Sequence, residues 1–155
     1  MSPPHAENPD MLAAIFSMQS DLNDRIFESN EIRDQEGMPL RMSTIIEQVR
    51  AGKLMVNDLP NQWLSRYSVA MRGELDELRE DLRWKWWSKD AIDLQNIRVE
   101  LIDILHFLVS AMLAAGLTPE RVFEIYRQKH SVNIARQDAG YSEAGKSEAD
   151  NRSIT

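Results

Sequence analysis

The sequence predicts an all-α protein, a helical bundle of about five helices, and three observations carry that prediction. Apolar residues recur at spacings of three and four through nearly every segment. No segment shows the sustained apolar–polar alternation of a half-buried strand. Capping residues, prolines and glycines divide the chain into helix-length pieces with short connections, which favours a bundle.

The first two helices are predicted from start and stop signals. "NPDM" opens the first helix, with Asn8 as N-cap and Pro9 at the first helical position. "STIIEQVRAG" is a short helix in which Thr44 and Glu47 form a capping pair and Gly52 ends the helix. The first helix carries a long apolar stripe: Leu12, Ile15, Phe16, Leu22 and Ile26.

The third and fourth helices are the longest. "NDLPNQWL" opens the third near Asp58 or Pro60. The fourth begins near Ser88 or Asp90 and ends at Gly116. Because the connection is short, the two helices are expected to form an antiparallel pair. The apolar sequence "LIDILHFLVSAMLAAGL" indicates that the fourth is a buried core helix.

The fifth helix follows directly at "LTPERV", where Thr118 is the predicted N-cap and Pro119 the first helical residue. Residues 1–8 are expected to form a flexible arm, and residues 142–155 a disordered tail of small and polar residues. The domain itself is predicted to span residues 9–141.

Composition excludes several classes of function. Eighteen basic and 25 acidic residues give a net charge of −7, which disfavours nucleic acid as a partner. The chain has no cysteine, hence no disulfide and no zinc–thiolate site, and a reducing cytoplasm fits. The N-terminus lacks the features of a signal peptide. The apolar run of the fourth helix is short for a span and is interrupted by Asp103 and His106, so no membrane association is expected.

Four carboxylates predict a metal site. Glu74 and Glu77 on the third helix, and Glu100 and Asp103 on the fourth, form two pairs with a spacing of three. Each pair projects from one helix face, and antiparallel helices can bring the pairs together. Oxygen-only ligands suit a hard cation such as Mg²⁺ or Mn²⁺, and without a cation the four charges would repel.

Two alternatives compete with this interpretation. "ELDELRED" alone could be a solvated charged face, but the apolar neighbours of Glu100 and Asp103 argue against that for the fourth helix. A di-iron bundle would need two Glu-x-x-His motifs, whereas His106 is the only histidine at such a spacing from an acid on these two helices.

Two polar residues interrupt the apolar stripe of the first helix. Gln19 and Asn23 are four residues apart, and an amide can read a nucleobase edge because it both donates and accepts hydrogen bonds. The alternative is a buried structural hydrogen bond to a neighbouring helix.

Aromatic and basic residues supply further candidates. "WKWWSK" contains Trp87, which could stack on a base, and Lys85, which could meet a phosphate; a hydrophobic plug or an oligomer interface is the alternative. Lys129, Asn133 and Arg136 share one helical face and could bind a polyphosphate, or they could form a solvated basic face.

The sequence resembles the all-α nucleoside triphosphate pyrophosphohydrolases, which include the MazG proteins and the dimeric dUTPases. The metal motif of that family, Glu-x-x-Glu followed by Glu-x-x-Asp, matches Glu74, Glu77, Glu100 and Asp103. The similarity to the dimeric dUTPase branch is closer, over the blocks "MQSDLND", "ELDELREDLRWKWWS", "ELIDILHFLVS" and "YRQKHSVNIARQDAGY". The segment from Glu28 to Asn57 does not match this branch.

The resemblance implies roles for individual residues. Gln19 and Asn23 would contact the base, and His106 and Phe107 would shape the base and sugar pocket. Tyr141 would cover the nucleotide. The phosphate contacts would come from the basic cluster of the last block: Lys129, Asn133 and Arg136.

The resemblance also implies a reaction: Mg²⁺-dependent cleavage of a deoxynucleoside triphosphate to the monophosphate and diphosphate. Our hypothesis is that Glu77 and Glu74 are the catalytic carboxylates. Two or more ions per site are expected, and Mn²⁺ could substitute. dUTP is the leading substrate, with dGTP or GTP as the alternative because compact relatives act on guanine nucleotides. A homodimer or homotetramer in the cytoplasm of a bacterial or phage-infected cell is expected. A non-catalytic helical module that binds metal or nucleotide is the alternative of another class.

Overall fold

The computed structural model describes residues 10–140, 142 and 148–155. It confirms the all-α prediction, since the described residues form six helices and no strand beyond an isolated antiparallel bridge between Arg33 and Pro39. The chain divides into two compact units, Met1–Gly116 and Leu117–Thr155. The helices are α1 (Met11–Ser29), α2 (Met42–Arg50), α3 (Leu59–Asp81), α4 (Leu94–Ala114), α5 (Pro119–Asp138) and α6 (Glu148–Arg152).

The first unit packs α1 to α4 around one core, in which α3 and α4 form the most extensive helix pair. The acids near the end of α3 meet those near the start of α4, so the two helices run antiparallel, as predicted. Among the described residues, the largest side chains that solvent does not reach are Phe27, Leu40, Met42, Ile45 and Val109.

The starts of α1 and α2 differ from the prediction. The N-cap of α1 is Asp10, whose carboxylate accepts from the Ala13 N–H at 3.0 Å; Asn8 lies outside the described residues. The predicted capping pair of α2 is wrong, because its first N–H, that of Met42, donates to Asp24 at 2.7 Å. A side chain from α1 therefore replaces the local cap that the sequence suggested.

The start of α4 is also corrected. Asp93 is the N-cap, because its carboxylate accepts from the N–H groups of Gln95 and Asn96, both at 3.1 Å. Ser88 and Asp90, the predicted starts, instead bond to each other at 2.7 Å. A longer connection than expected, residues 82–93, therefore joins α3 to α4.

The predicted stop after α4 is confirmed. Gly116 has a φ of +75°, a left-handed conformation that glycine adopts without strain. A Cβ added there would lie 2.9 Å from Val49 Cγ1 of α2, so the position also lacks room for a side chain.

The outer face of α4 is not buried as the sequence suggested. Val99, Leu101 and Ile102 are about half exposed, at 46%, 50% and 52%. Among the described residues, no single helix is long and apolar enough to cross a membrane; α4 and α5 reach that length and composition only when counted together.

The second unit contains α5 and α6. Thr118 caps α5, as predicted, by accepting from the Arg121 N–H at 3.2 Å. Residues 148–152 form the short helix α6 within the segment for which the sequence predicts disorder. An ion pair of 2.6 Å between Arg136 and Asp150 connects α6 to α5, which sequence periodicity does not reveal.

Candidate functional site

Three of the four predicted metal ligands converge. Glu74 and Glu77 of α3 and Glu100 of α4 each offer a carboxylate oxygen, and these oxygens lie within 4.8 Å of one another. Glu74 and Glu100 are half-buried, whereas Glu77 is exposed. The spacing of three residues places both acids of α3 on the face that packs against α4.

Asp103, the fourth predicted ligand, lies one turn beyond Glu100 and stands outside this group of three. It is close enough for its charge to raise the pKa of both Glu74 and Glu100. The predicted pairs therefore face each other, with three oxygen donors close together and Asp103 next to them.

The electrostatics of the cluster favour a bound cation. Burial, followed by the charges of Glu77 and Asp103, raises the pKa of Glu74 and of Glu100 above the ordinary 4.5. The Oε2 atom of Glu100 is buried and has no hydrogen-bond partner, an arrangement that normally costs free energy. Oxygen donors that repel one another, one of them without a partner, fit a hard divalent cation.

Asn96 is a neighbour of the cluster that the sequence analysis did not single out. Its amide donates to Asp81 at the end of α3 and, at 3.5 Å, to Oε1 of Glu100. Only one oxygen of Glu100 is thus held by the protein. Asn96 lies four residues before Glu100 on α4, a spacing that could have drawn attention to it.

A cavity of about 540 Å³ adjoins the cluster, between α1, α3 and α4. Glu74 and Asp103 are part of its lining, so acids and cavity form one continuous site. All four residues predicted on α1 and α4 for base and sugar contacts also line it: Gln19, Asn23, His106 and Phe107.

The two amides belong to a buried hydrogen-bond network. Gln19 and Asn23 are only 6% and 3% exposed. Gln19 donates to Asn23 at 3.0 Å and to the Ser110 hydroxyl at 2.9 Å, and Asn23 donates to the same hydroxyl at 3.1 Å. Gln19 Oε1 lies 2.6 Å from His106 Nδ1. The structural alternative for these amides is therefore realised, and both also face the cavity.

Sequence reasoning missed three residues that line the cavity from α3. They are Trp63, Arg66 and Tyr67, and the Arg66 guanidinium lies 4.6 Å from the Trp63 ring centre. Tyr67 is buried, and its hydroxyl has no hydrogen-bond partner. The available signal was helical spacing, since Tyr67 precedes Glu74 by two turns on the same face.

Trp87 and Lys85 are not among the residues that line this cavity. Trp87 is 61% exposed and contacts the rings of Trp84 and Trp86 edge-on, at 6.0 and 5.6 Å between centres. The Lys85 ammonium lies 5.4 Å from the ring centre of Trp84. Their contacts with a nucleotide stay a prediction.

The predicted phosphate ligands of α5 lie in the second unit. Lys129 donates to Asn151 at 2.6 Å, and Arg136 pairs with Asp150, so both cations have partners on α6. Asn133, between them on the same face, is exposed. Tyr141 lies outside the described residues. The roles of these side chains also stay predictions.

Three relatives are similar in sequence to part of this chain. A dCTP pyrophosphatase of Enterobacteria phage T4 is 28% identical, over 63% of this chain and 51% of its own length. A dCTP pyrophosphatase of Enterobacteria phage LZ5 is 35% identical, over 37% of this chain and 41% of its own length. A DNA replication protein of phage T4 is 25% identical, over 61% of this chain and 22% of its own length. This chain thus spans about half or less of the length of each of these relatives.

No solved structure shows a significant match. A family model described as dUTPase matches residues 11–120, which include α1 to α4, the acid cluster and the cavity. The predicted family resemblance is thereby confirmed, and this chain belongs to the all-α dUTPase family.

Proposed function

We propose that this chain is a Mg²⁺-dependent nucleoside triphosphate pyrophosphohydrolase, which converts a deoxynucleoside triphosphate and water to the monophosphate and diphosphate. One observation carries the proposal: three carboxylates whose oxygens lie within 4.8 Å of one another adjoin a cavity lined by amides and aromatic rings. Such a site can hold a cation for the phosphates and a base at the same time. The family and the names of the two phage pyrophosphatases support the same reaction.

The metal would be held by Glu74, Glu77 and Glu100, with Asp103 as a neighbouring donor. When bound, Mg²⁺ supplies charge neutralisation for the phosphates and lowers the pKa of a coordinated water. Two or more ions would spread the charge of the four carboxylates, and Mn²⁺ could replace them.

Glu77 is the candidate general base. It is the exposed member of the group of three, so water reaches it, and it can accept the proton of the attacking water. A bond forms between that water oxygen and phosphorus, while the bond from phosphorus to the bridging oxygen breaks. The leaving diphosphate keeps the electron pair, and Glu74 orients the reacting groups.

The charge on the leaving diphosphate needs cationic partners. Lys129 and Arg136, with the amide of Asn133, are proposed for that role, and Lys85 of the tryptophan segment for another phosphate. Trp87 is proposed as an additional ring for the base or sugar, and Tyr141 as a cover for the nucleotide.

The preferred substrate is proposed to be a pyrimidine deoxynucleotide, dUTP or dCTP. The family description favours dUTP, and the two phage relatives are named for dCTP. A guanine nucleotide remains the alternative within the same reaction.

The chain is further proposed to form a homodimer or homotetramer. A second, smaller cavity of about 340 Å³ between α1 and α4 has a mainly apolar lining. Met18 and Ile102, which line it, are 63% and 52% exposed, a costly arrangement for a monomer. The molecular mass in solution tests this proposal.

A substrate panel tests the reaction. The wild type is expected to release diphosphate from at least one of the canonical and uracil-containing triphosphates with Mg²⁺, and Glu100→Gln is expected to abolish turnover. Glu80→Gln, on α3 with Glu74 and Glu77 but outside the cluster, should retain turnover and serves as the matched control.

The alternative of another class predicts a different outcome of the panel. A non-catalytic module would bind metal or nucleotide without releasing diphosphate. If no triphosphate is hydrolysed with either Mg²⁺ or Mn²⁺, the proposed function is wrong.

A further inference from the structure

We propose that Gln19 fixes the tautomer of His106, so that His106 Nε2 accepts a hydrogen bond from an N–H or O–H group of the bound nucleoside. The inference rests on the proposed function for its ligand. Gln19 then positions His106 and does not itself contact the base, and His106 acts as a hydrogen-bond acceptor toward the ligand.

The orientation of the Gln19 amide follows from its partners. Its nitrogen donates both hydrogens, one to Asn23 Oδ1 at 3.0 Å and one to Ser110 Oγ at 2.9 Å. A flipped amide would set Oε1 of Gln19 against Oδ1 of Asn23, two oxygens without a hydrogen between them.

Ser110 is the second fixed point. Its hydroxyl has one hydrogen, and the nearest acceptor is the His106 carbonyl at 2.9 Å, one turn back on α4. The lone pairs of Ser110 Oγ are then left for the amide hydrogens of Gln19 and Asn23. Ser110 is inaccessible to solvent, so water cannot replace these partners.

The tautomer of His106 is the consequence. Gln19 Oε1 lies 2.6 Å from His106 Nδ1, and a carbonyl oxygen can only accept a hydrogen bond. Nδ1 therefore carries a proton, and in the neutral ring Nε2 has a free lone pair. No described residue bonds to Nε2, and the exposed ring of His106 lines the cavity.

The free lone pair at Nε2 determines which group of a ligand His106 can bind. A lone pair at Nε2 attracts a donor and repels a carbonyl oxygen. In a deoxynucleotide such a donor can be a base N–H, as at N3 of uracil or the amino group of cytosine, or the 3′-hydroxyl of the sugar. Gln19 has no hydrogen left for a base, whereas Asn23 keeps one Nδ2 hydrogen that its partners do not use.

Nitrogen NMR of the free, full-length protein tests the tautomer without any nucleotide. With labelled histidine, at an alkaline pH where imidazole is neutral, the His106 ring should carry its proton on Nδ1. In Gln19→Leu this preference should be lost, while His130, on α5, gives the same spectrum in both proteins. A proton on Nε2 in the wild type would overturn the assignment, whether or not the variant folds.

Nucleotide binding tests the recognition. His106→Asn keeps a donor near the Nδ1 position but lacks Nε2, so affinity for a non-hydrolysable dUTP or dCTP analogue should fall about tenfold. His130→Asn is the matched control and should bind normally. Analogues that lack one donor identify the source: N3-methyl uracil or N4-dimethyl cytosine tests the base, and a dideoxy sugar tests the hydroxyl. The analogue without the contacted donor should bind wild type and His106→Asn equally.

The possible outcomes separate the two proposals. Full affinity in His106→Asn, or the same ratio of affinities for every analogue, would overturn recognition by Nε2 even if the wild type hydrolyses triphosphates. A wild type that binds no nucleotide would overturn the proposed function and this recognition together, and the NMR result would still decide the tautomer.

Discussion

The network around Ser110 and the cluster around Glu100 both include residues of α4, but they differ in how their polar atoms are satisfied. In the network, the side chains of Gln19, Asn23 and Ser110 hydrogen-bond to one another and to His106. In the cluster, like charges face each other, and one oxygen of Glu100 is buried without a partner.

The network and the cluster therefore differ in what they need to be stable. In the network, every polar atom has a partner within the protein except one Nδ2 hydrogen of Asn23 and Nε2 of His106, so the network should stabilise the fold and hold its side chains still. The cluster is incomplete, so it should destabilise the fold until a cation is bound. The two regions should therefore respond differently to metal, to the loss of a side chain and to pH.

The cluster should respond most strongly to metal. At a Mg²⁺ concentration of a hundred times its Kd, the free energy of unfolding of the wild type should rise by about 2.7 kcal/mol, because only the folded state gathers the carboxylates. Glu100→Gln should lose most of this gain, and in EDTA it should be at least as stable as the wild type, since a repelled charge is gone. Urea denaturation with Mg²⁺ and with EDTA measures both quantities.

Glu80→Gln is the control for this comparison and should keep the full response to Mg²⁺. A Glu100→Gln protein that gains as much from Mg²⁺ as the wild type would contradict a cation on this cluster.

Removing the Ser110 hydroxyl from the network should lower the free energy of unfolding. Ser110→Ala leaves two buried amide donors without an acceptor and should lower the free energy of unfolding by about 1 to 3 kcal/mol, with or without Mg²⁺. Ser131→Ala is the matched control, because Ser131 also bonds to a carbonyl one turn back but is exposed, and it should change stability little. Equal, small effects of the two substitutions would show that the network is not needed for stability.

The weakest expected effect is a pH dependence. Because the pKa of Glu74 and of Glu100 is raised, the folded metal-free protein binds more protons than the unfolded chain between pH 4.5 and the raised values. The contribution of these groups to the free energy of unfolding therefore falls as pH rises through that interval. Denaturation in EDTA at several pH values measures the free energy of unfolding of the wild type and of Glu100→Gln. This free energy should decline less steeply with pH in the variant. A steeper decline in the variant would contradict a raised pKa of Glu100.

The parts of the fold that the sequence predicted depend on local signals. Pro60, Pro119 and Gly116 mark helix boundaries through backbone geometry alone, and the structure has those boundaries. The paired acids were predicted from spacing of three residues on two connected helices. The starts of α2 and α4 were missed because the deciding groups, Asp24 and Asp93, bond to N–H groups that periodicity does not identify.

Other features depend on long-range packing and were beyond a reading of the sequence. The hydrogen-bond network forms only because Ser110 lies opposite Gln19, and these two residues are 91 positions apart in the sequence. The exposure of Ile102 depends on which helices cover α4, and an apolar pattern does not say whether the cover comes from the same chain. The exposed tryptophans were likewise recognisable as a motif, but their separation from the cavity was not.

The continuity of α3 has a consequence for how this site can change over evolution. Tyr67 of the cavity and Glu74 of the cluster stand on one unbroken helix, about 10 Å apart along its axis. Inserting or deleting one residue between them would rotate the acids by about 100° relative to the cavity wall. Divergence in this stretch is therefore confined to substitutions, and differences in length should accumulate before Leu59 or in the connection after Asp81.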